Sequence, residues 1–229
     1  MEELISVPEA AEELHLDPSR VRALAGAGLL PAVKIGGRWA IERQALAQRG
    51  PGRPGRPFVP QNAWALLFLA SGIEVDWLGQ SVHWRMREAL SRHRLEDLLP
   101  RLRLRAELRR YRVHPGELGY LLDSPSLVLS GANAARSHKL RLVSANEVDA
   151  YVRDRDLGGL EDEHSLAPAG LKSSNVAFRI VPDEAWQLDG QRYAPLAAVA
   201  VDLAEDPNPR ARRSAEFAFR RLGQYSRVR

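Results

Sequence analysis

The stretch GPGRPGRP, residues 50–57, limits the fold more than any other part of the chain. Six of its eight residues are Gly or Pro. Proline lacks an amide hydrogen and fixes its own φ, so neither a helix nor a central strand can run through this stretch. Its prolines hold it extended, as a semi-rigid spacer. The expected organisation is therefore a small domain over residues 1–49, a linker over 50–57 and a larger domain over 58–229. With 229 residues, 45% of them apolar, there is material for a core on both sides of the linker.

The first domain reads as closely spaced short elements. Pro8–Leu14 is predicted as a helix, with Pro in its first turn and Glu9, Glu12 and Glu13 near its positive end. Residues 15–17 turn the chain. Asp17 is a good N-cap and Pro18 a good first helical residue, and Val21, Leu24 and Ala25 form an apolar stripe at helical spacing. Gly26 and Gly28 end that second helix. Two short apolar runs then flank Gly36-Gly37, whose freedom at positive φ suits a tight hairpin turn. A closing helix is expected near Glu42–Gln48.

Helix, tight turn, helix and hairpin in under 50 residues describe a winged helix-turn-helix. In that geometry the second helix enters the major groove by its N-terminal end. Ser19, Arg20 and Arg22 stand there, outside the apolar stripe. Arginine reads guanine through a paired hydrogen bond, and serine reaches phosphate or a base edge. Lys34 and Arg38 sit on the wing, and Gly36 and Gly37 at its tip add no side chain to block a close approach. Trp39 is expected to pack the wing against the helices. Residues 6–46, SVPEAAEELHLDPSRVRALAGAGLLPAVKIGGRWAIERQAL, resemble the excisionase/MerR-like helix-turn-helix family. The resemblance rests on the EAA of the first helix, the VR of the second and the exit and wing GLLPAVKIGGRW. It implies binding of double-stranded DNA through the second helix and wing.

Charge distribution sharpens this reading. The net charge is +4, and 30 of the 33 basic residues are Arg. Residues 1–49 are nearly neutral, with six basic and seven acidic side chains. Residues 92–112 hold eight Arg against three acids, and residues 210–229 seven against one. Long-range attraction to phosphate must then come largely from outside the first domain. Within the linker, repeated Gly-Arg-Pro also looks like an AT-hook core, which would put Arg53 and Arg56 into a narrow minor groove; the alternative is a plain spacer. Each Arg-rich stretch is either a phosphate- or partner-facing surface or a solvated face.

Beyond the linker a mixed α/β domain is expected. Helices are predicted over 62–70, 79–91, 195–206 and 210–222, and strands near 107–113, 124–131, 148–152 and 175–181. On the last strand Val176, Phe178 and Ile180 share a face. Residues 128–152 and 193–215, VLSGANAARSHKLRLVSANEVDAYV and YAPLAAVAVDLAEDPNPRARRSA, are similar to the effector domain of AbiEi-family antitoxins. That resemblance implies a repressor of its own operon, with a nucleotidyltransferase-type toxin as partner.

An enzyme reading exists beside it. SGAN at 130–133 followed by Glu147 and Asp149 distantly resembles a nucleotidyltransferase turn with two magnesium-holding carboxylates. The turn is Gly-Ala where Gly-Ser is needed, and a third carboxylate is not evident, so an exposed strand edge is the expectation for Glu147 and Asp149. Asp202, Glu205 and Asp206 are expected at a solvated helix end, and residues 162–164 in a loop.

Other classes are set aside. The chain has no cysteine, hence no disulfides and no Cys-based zinc site. The histidines, at 15, 83, 93, 114, 138 and 164, show no ligand spacing. The longest apolar run, 63–73, is too short for a bilayer, and MEELISV is unlike a signal peptide, so a cytoplasmic location is expected. The function expected is a DNA-binding repressor without cofactor or catalysis, acting as a homodimer on paired half-sites. An excisionase-like architectural protein is the alternative.

Overall fold

The computed structural model describes residues 4–14, 17–26, 30–43, 55–143 and 146–225. The chain falls into two compact units, Met1–Gly55 and Arg56–Arg229. It is mixed α/β, with a helix-turn-helix region first and a larger mixed-sheet region after it.

In the first unit, β1 (Leu4–Ser6) leads into α1 (Val7–Leu14), then α2 (Pro18–Gly26), β2 (Ala32–Ile35) and β3 (Arg38–Glu42). The sheet order is β1-β3-β2, all antiparallel. β1 is too short to show an alternating pattern in sequence; pairing of Ile5 with Ile41 holds it. Ser6 and Glu9 form a reciprocal cap on α1, the Ser6 amide donating to Glu9 Oε2 at 2.8 Å and the Glu9 amide to Ser6 Oγ at 3.4 Å. Ala10, Leu14, Val21, Leu30 and Ile41 are almost wholly buried and make a core of their own. Glu42, expected to start a closing helix, instead ends β3 opposite Leu4. Residues 44–48 of that expected helix lie outside the described residues, as do the turn residues 15–16.

The second unit opens with α3 (Pro60–Ala70) and α4 (Gln80–Arg92), followed by a 3-10 turn (Leu95–Leu98) and α5 (Leu99–Leu102). Next come β4 (Glu107–Arg112), α6 (Leu118–Asp123), β5 (Leu127–Leu129) and α7 (Gly131–Ala135). β6 (Val148–Arg153), α8 (Leu157–Glu163), β7 (Ala167–Pro168) and β8 (Val176–Val181) follow, and α9 (Leu196–Glu205) and α10 (Pro209–Tyr225) close the unit. The sheet order is β5-β6-β8-β4-β7; β6 and β8 run parallel and the other pairs antiparallel.

Helices cover both faces of this sheet, and the buried strands follow from that. On one face Val148, Ala150, Val152, Val176, Phe178 and Ile180 pack with Leu121 and Leu160 of α6 and α8. On the other, Tyr151 and Val181 join the larger core built by α3, α9 and α10. Trp64 of α3 is wholly buried there, edge-on to Tyr151 with ring centres 4.8 Å apart. α9 is apolar nearly all round, and its alanines meet Ala211, Ala215 and Ala218 of α10 in the same core. Small side chains let these two helices approach closely.

Three expectations fail here. Residues 162–163 belong to α8 and His164 caps it, 7% exposed, rather than lying in a loop. Asp149 is no exposed edge: β6 is an interior strand, paired on both edges by β5 and β8, and both its faces are packed, Tyr151 in one core and Val148, Ala150 and Val152 in the other. Asp202 is no solvated helix end: it is 0% exposed among the apolar side chains of α9. Glu205, at the end of the same helix, keeps partial exposure.

Candidate nucleic-acid interface

The start of α2 is built by Asp17. Its carbonyl accepts from the Arg20 amide at 2.9 Å and the Val21 amide at 3.2 Å, and its carboxylate accepts from the Ser19 amide at 2.7 Å. Hydrogen bonds from the Ser19 side chain and amide, with the nearby Arg22 charge, hold the Asp17 carboxyl below its usual range. The helix amides are thus already occupied at this end, and side chains must make any contact with a phosphate or base. Val21, Leu24 and Ala25 turn inward, which leaves Ser19, Arg20 and Arg22 exposed.

On the wing, Gly36 has φ +56° and Gly37 φ +81°, a conformation that residues with a side chain adopt only with strain. No neighbour lies within 4 Å of where a Cβ would sit at either position, so conformation rather than crowding demands glycine. Lys34 stands opposite Trp39, its Nζ 5.7 Å from the ring centre, and Ile35 stands opposite Arg38. Trp39 packs on the core of the unit, as expected. Successive residues of a strand point to opposite faces, so Lys34 shares the helix-facing side with Trp39 while Arg38 projects from the other. Both cations are exposed. The outer face also carries Val33 and Ile35, 43% and 60% exposed. Sequence reasoning set the two wing cations together; the register puts them on opposite faces of the hairpin.

Arg53 lies outside the described residues. Arg56 is exposed at the start of the second unit, where its carbonyl accepts from Arg101 Nε at 3.3 Å.

The nucleotidyltransferase-like turn of the second unit is filled by protein. Gly131 has φ +47°, and a Cβ there would lie 2.0 Å from Asp149 Oδ2. The Ser130 amide donates to the Asp149 carbonyl at 2.9 Å, and the Ser130 hydroxyl donates to the Asp202 carboxylate. Asn133 Nδ2 donates to the Glu147 carbonyl at 3.1 Å, and the Asp149 amide to Asn133 Oδ1 at 2.6 Å. Glu147 and Asp149 do not act as a pair: Glu147 is exposed, whereas the Asp149 carboxylate is turned inward onto Arg179. Arg179 also reaches Asp202 at 2.9 Å, and Asp202 takes Arg105 at 2.7 Å and the Tyr151 hydroxyl at 2.8 Å. Burial pushes the Asp149 carboxyl up to about 6 against the pull of Arg179, with Asp202 adding to the rise. Among the described residues no three His, Asp or Glu side chains are placed to hold a metal. No helix among them is long and apolar enough to cross a membrane.

Sequence reasoning missed this charged network. Its trace in the sequence is Asp202 itself, one charge inside the apolar run LAAVAVDLA of residues 196–204. A helix apolar on all sides is buried, and a charge on it must then be paired.

A family model described as a helix-turn-helix domain matches residues 4–49. No curated protein and no solved structure matches the chain. Residues 4–49 therefore form a helix-turn-helix domain, which implies DNA as a partner of this chain.

Proposed function

We propose that this chain is a sequence-specific transcriptional repressor, of the kind that regulates its own operon as the antitoxin of a toxin–antitoxin pair. The carrying observation is the exposed cation set of the first unit: Arg20 and Arg22 at the entry of α2, with Lys34 and Arg38 on the wing. Base reading falls to Arg20, Arg22 and Ser19, and backbone positioning to Lys34 and Arg38. The antitoxin role and a toxin of nucleotidyltransferase type rest on the likeness of residues 128–152 and 193–215 to AbiEi-family antitoxins. Two copies on paired half-sites would give a short reader its specificity.

The test is a footprint on the DNA upstream of the protein's own reading frame. Protection of two half-sites about 34–36 Å apart along the helix is expected. Equal affinity for that DNA and for random duplex at matched salt would overturn the repressor reading.

A further inference from the structure

Two Arg-rich stretches that lie a hundred residues apart in sequence meet in the second unit. The C-terminal end of α4 and the 3-10 turn after it face α10 across a groove of about 560 Å³. Arg92 and Arg94 enter it from the first stretch and Arg220 from the second. Its floor is apolar, with Leu95, Phe219 and Leu222 among the lining residues.

The charges on the rim are available. Arg92 and Arg94 are each 70% exposed and hold Glu88 at 2.5 Å and Glu96 at 2.7 Å. Exposed pairs of this kind are weak, so an incoming carboxylate can compete for either arginine. Arg220 is exposed and, among the described residues, has no acidic partner. Phe217, one helical turn before Arg220 on the same face, is 46% exposed. Cationic forks thus border an apolar floor, with a further exposed aromatic ring beside them.

We propose that this groove binds an acidic, amphipathic segment of a protein partner. Guanidinium groups favour carboxylates through paired, charge-assisted hydrogen bonds. The apolar lining around the buried Leu95, Phe219 and Leu222 favours aliphatic side chains over a phosphate backbone; base stacking on Phe217 is the mode by which a nucleic acid would compete, and the single strand in the test below decides between them. An amphipathic segment supplies carboxylates at the rim and apolar side chains toward the floor. The proposal uses no residue of the helix-turn-helix, so it stands or falls apart from the DNA reading.

The test selects a random 16-residue peptide library, displayed on phage, against the full-length protein. Enriched sequences are expected to be net negative, with apolar residues three or four positions apart. They should bind Arg94→Gln/Arg220→Gln at least tenfold more weakly, and Arg210→Gln, outside the groove, as well as the parent. Thermal unfolding of each variant checks folding, and Arg220→Glu alone gives a second measure of the same loss. No enrichment, enrichment without acidic character, or undiminished binding to the folded double variant would overturn the proposal. So would displacement of the peptide by a 30-nucleotide single strand that binds Arg220-dependently, since the groove would then belong to phosphate.

Discussion

Arg105 and Asp202 form an ion pair at 2.7 Å almost out of contact with water, their side chains 3% and 0% exposed. Arg105 comes from the turn after α5 and Asp202 from the middle of α9. The pair extends to Glu205, Tyr151, Arg179, Asp149 and Ser130. It ties α9 to the centre of the sheet, because Tyr151 and Arg179 sit side by side on β6 and β8.

Asp202→Asn keeps the shape and removes the shared negative charge. Among the described residues, Arg105 would then keep only Glu205 as counter-charge, and Arg179 only Asp149. Breaking one side of a buried pair costs about 3–5 kcal/mol when no other counter-charge remains, so a loss of about 1–3 kcal/mol is expected here. Urea unfolding of the variant should show that loss, and a loss under about 1 kcal/mol would contradict the burial described.

Asp149 titrates at about 6 in the folded protein because burial opposes its charge, against about 3.9 in an unfolded chain. Between these values the folded state holds a proton that the unfolded state has released. This group's contribution to stability is therefore fullest at low pH and falls as pH rises through this window. Urea midpoints at several pH values should show this component in the parent and not in Asp149→Asn. Identical pH profiles would show that Asp149 is not the source.

Gly131 and Gly158 should respond oppositely to alanine. At Gly131 the φ is +47° and the new Cβ would collide with the Asp149 carboxylate, so a loss of about 2–4 kcal/mol is expected. Gly158 lies in α8 with nothing within 4 Å of a Cβ. There alanine should stabilise by about 0.5–1 kcal/mol. Thermal unfolding compares the two directly.

Arg20→Ala and Arg22→Ala should each weaken specific binding by about 1–3 kcal/mol where they touch base edges. Lys34→Ala should weaken binding to all duplexes about equally and flatten the salt dependence by about one unit. Gel shifts at several salt concentrations separate these effects. If none of the three changes a shift, α2 and the wing are not the reading surface.

A fragment of residues 58–229 should lose specific DNA binding. Retention of the parent's affinity and footprint by that fragment would move the activity out of the helix-turn-helix.

The helix-turn-helix was legible because its signals are local. Asp17-Pro18 starts α2, the stripe Val21, Leu24 and Ala25 sets its inward face, and Gly36-Gly37 makes the turn, each within a few residues. In the second unit the strand and helix periods were readable for the same reason, and Val176, Phe178 and Ile180 do share a buried face. What the chain could not disclose locally was the fate of its charges. Period-two patterning marks one face of a strand as apolar, and the polar residues at 149 and 179 then read as solvent-facing. Only the parallel pairing of β6 with β8, with α3 and α9 laid over the second face, put Asp149 and Arg179 inside. Arg105 and Asp202 are 97 residues apart, as Asp149 and Arg179 are 30 apart, and no local rule joins such partners. The convergence of the two arginine stretches on one groove has the same origin. Backbone conformation is set by near neighbours, whereas the dielectric and counter-charge around an ionisable group are set by whatever the fold brings beside it.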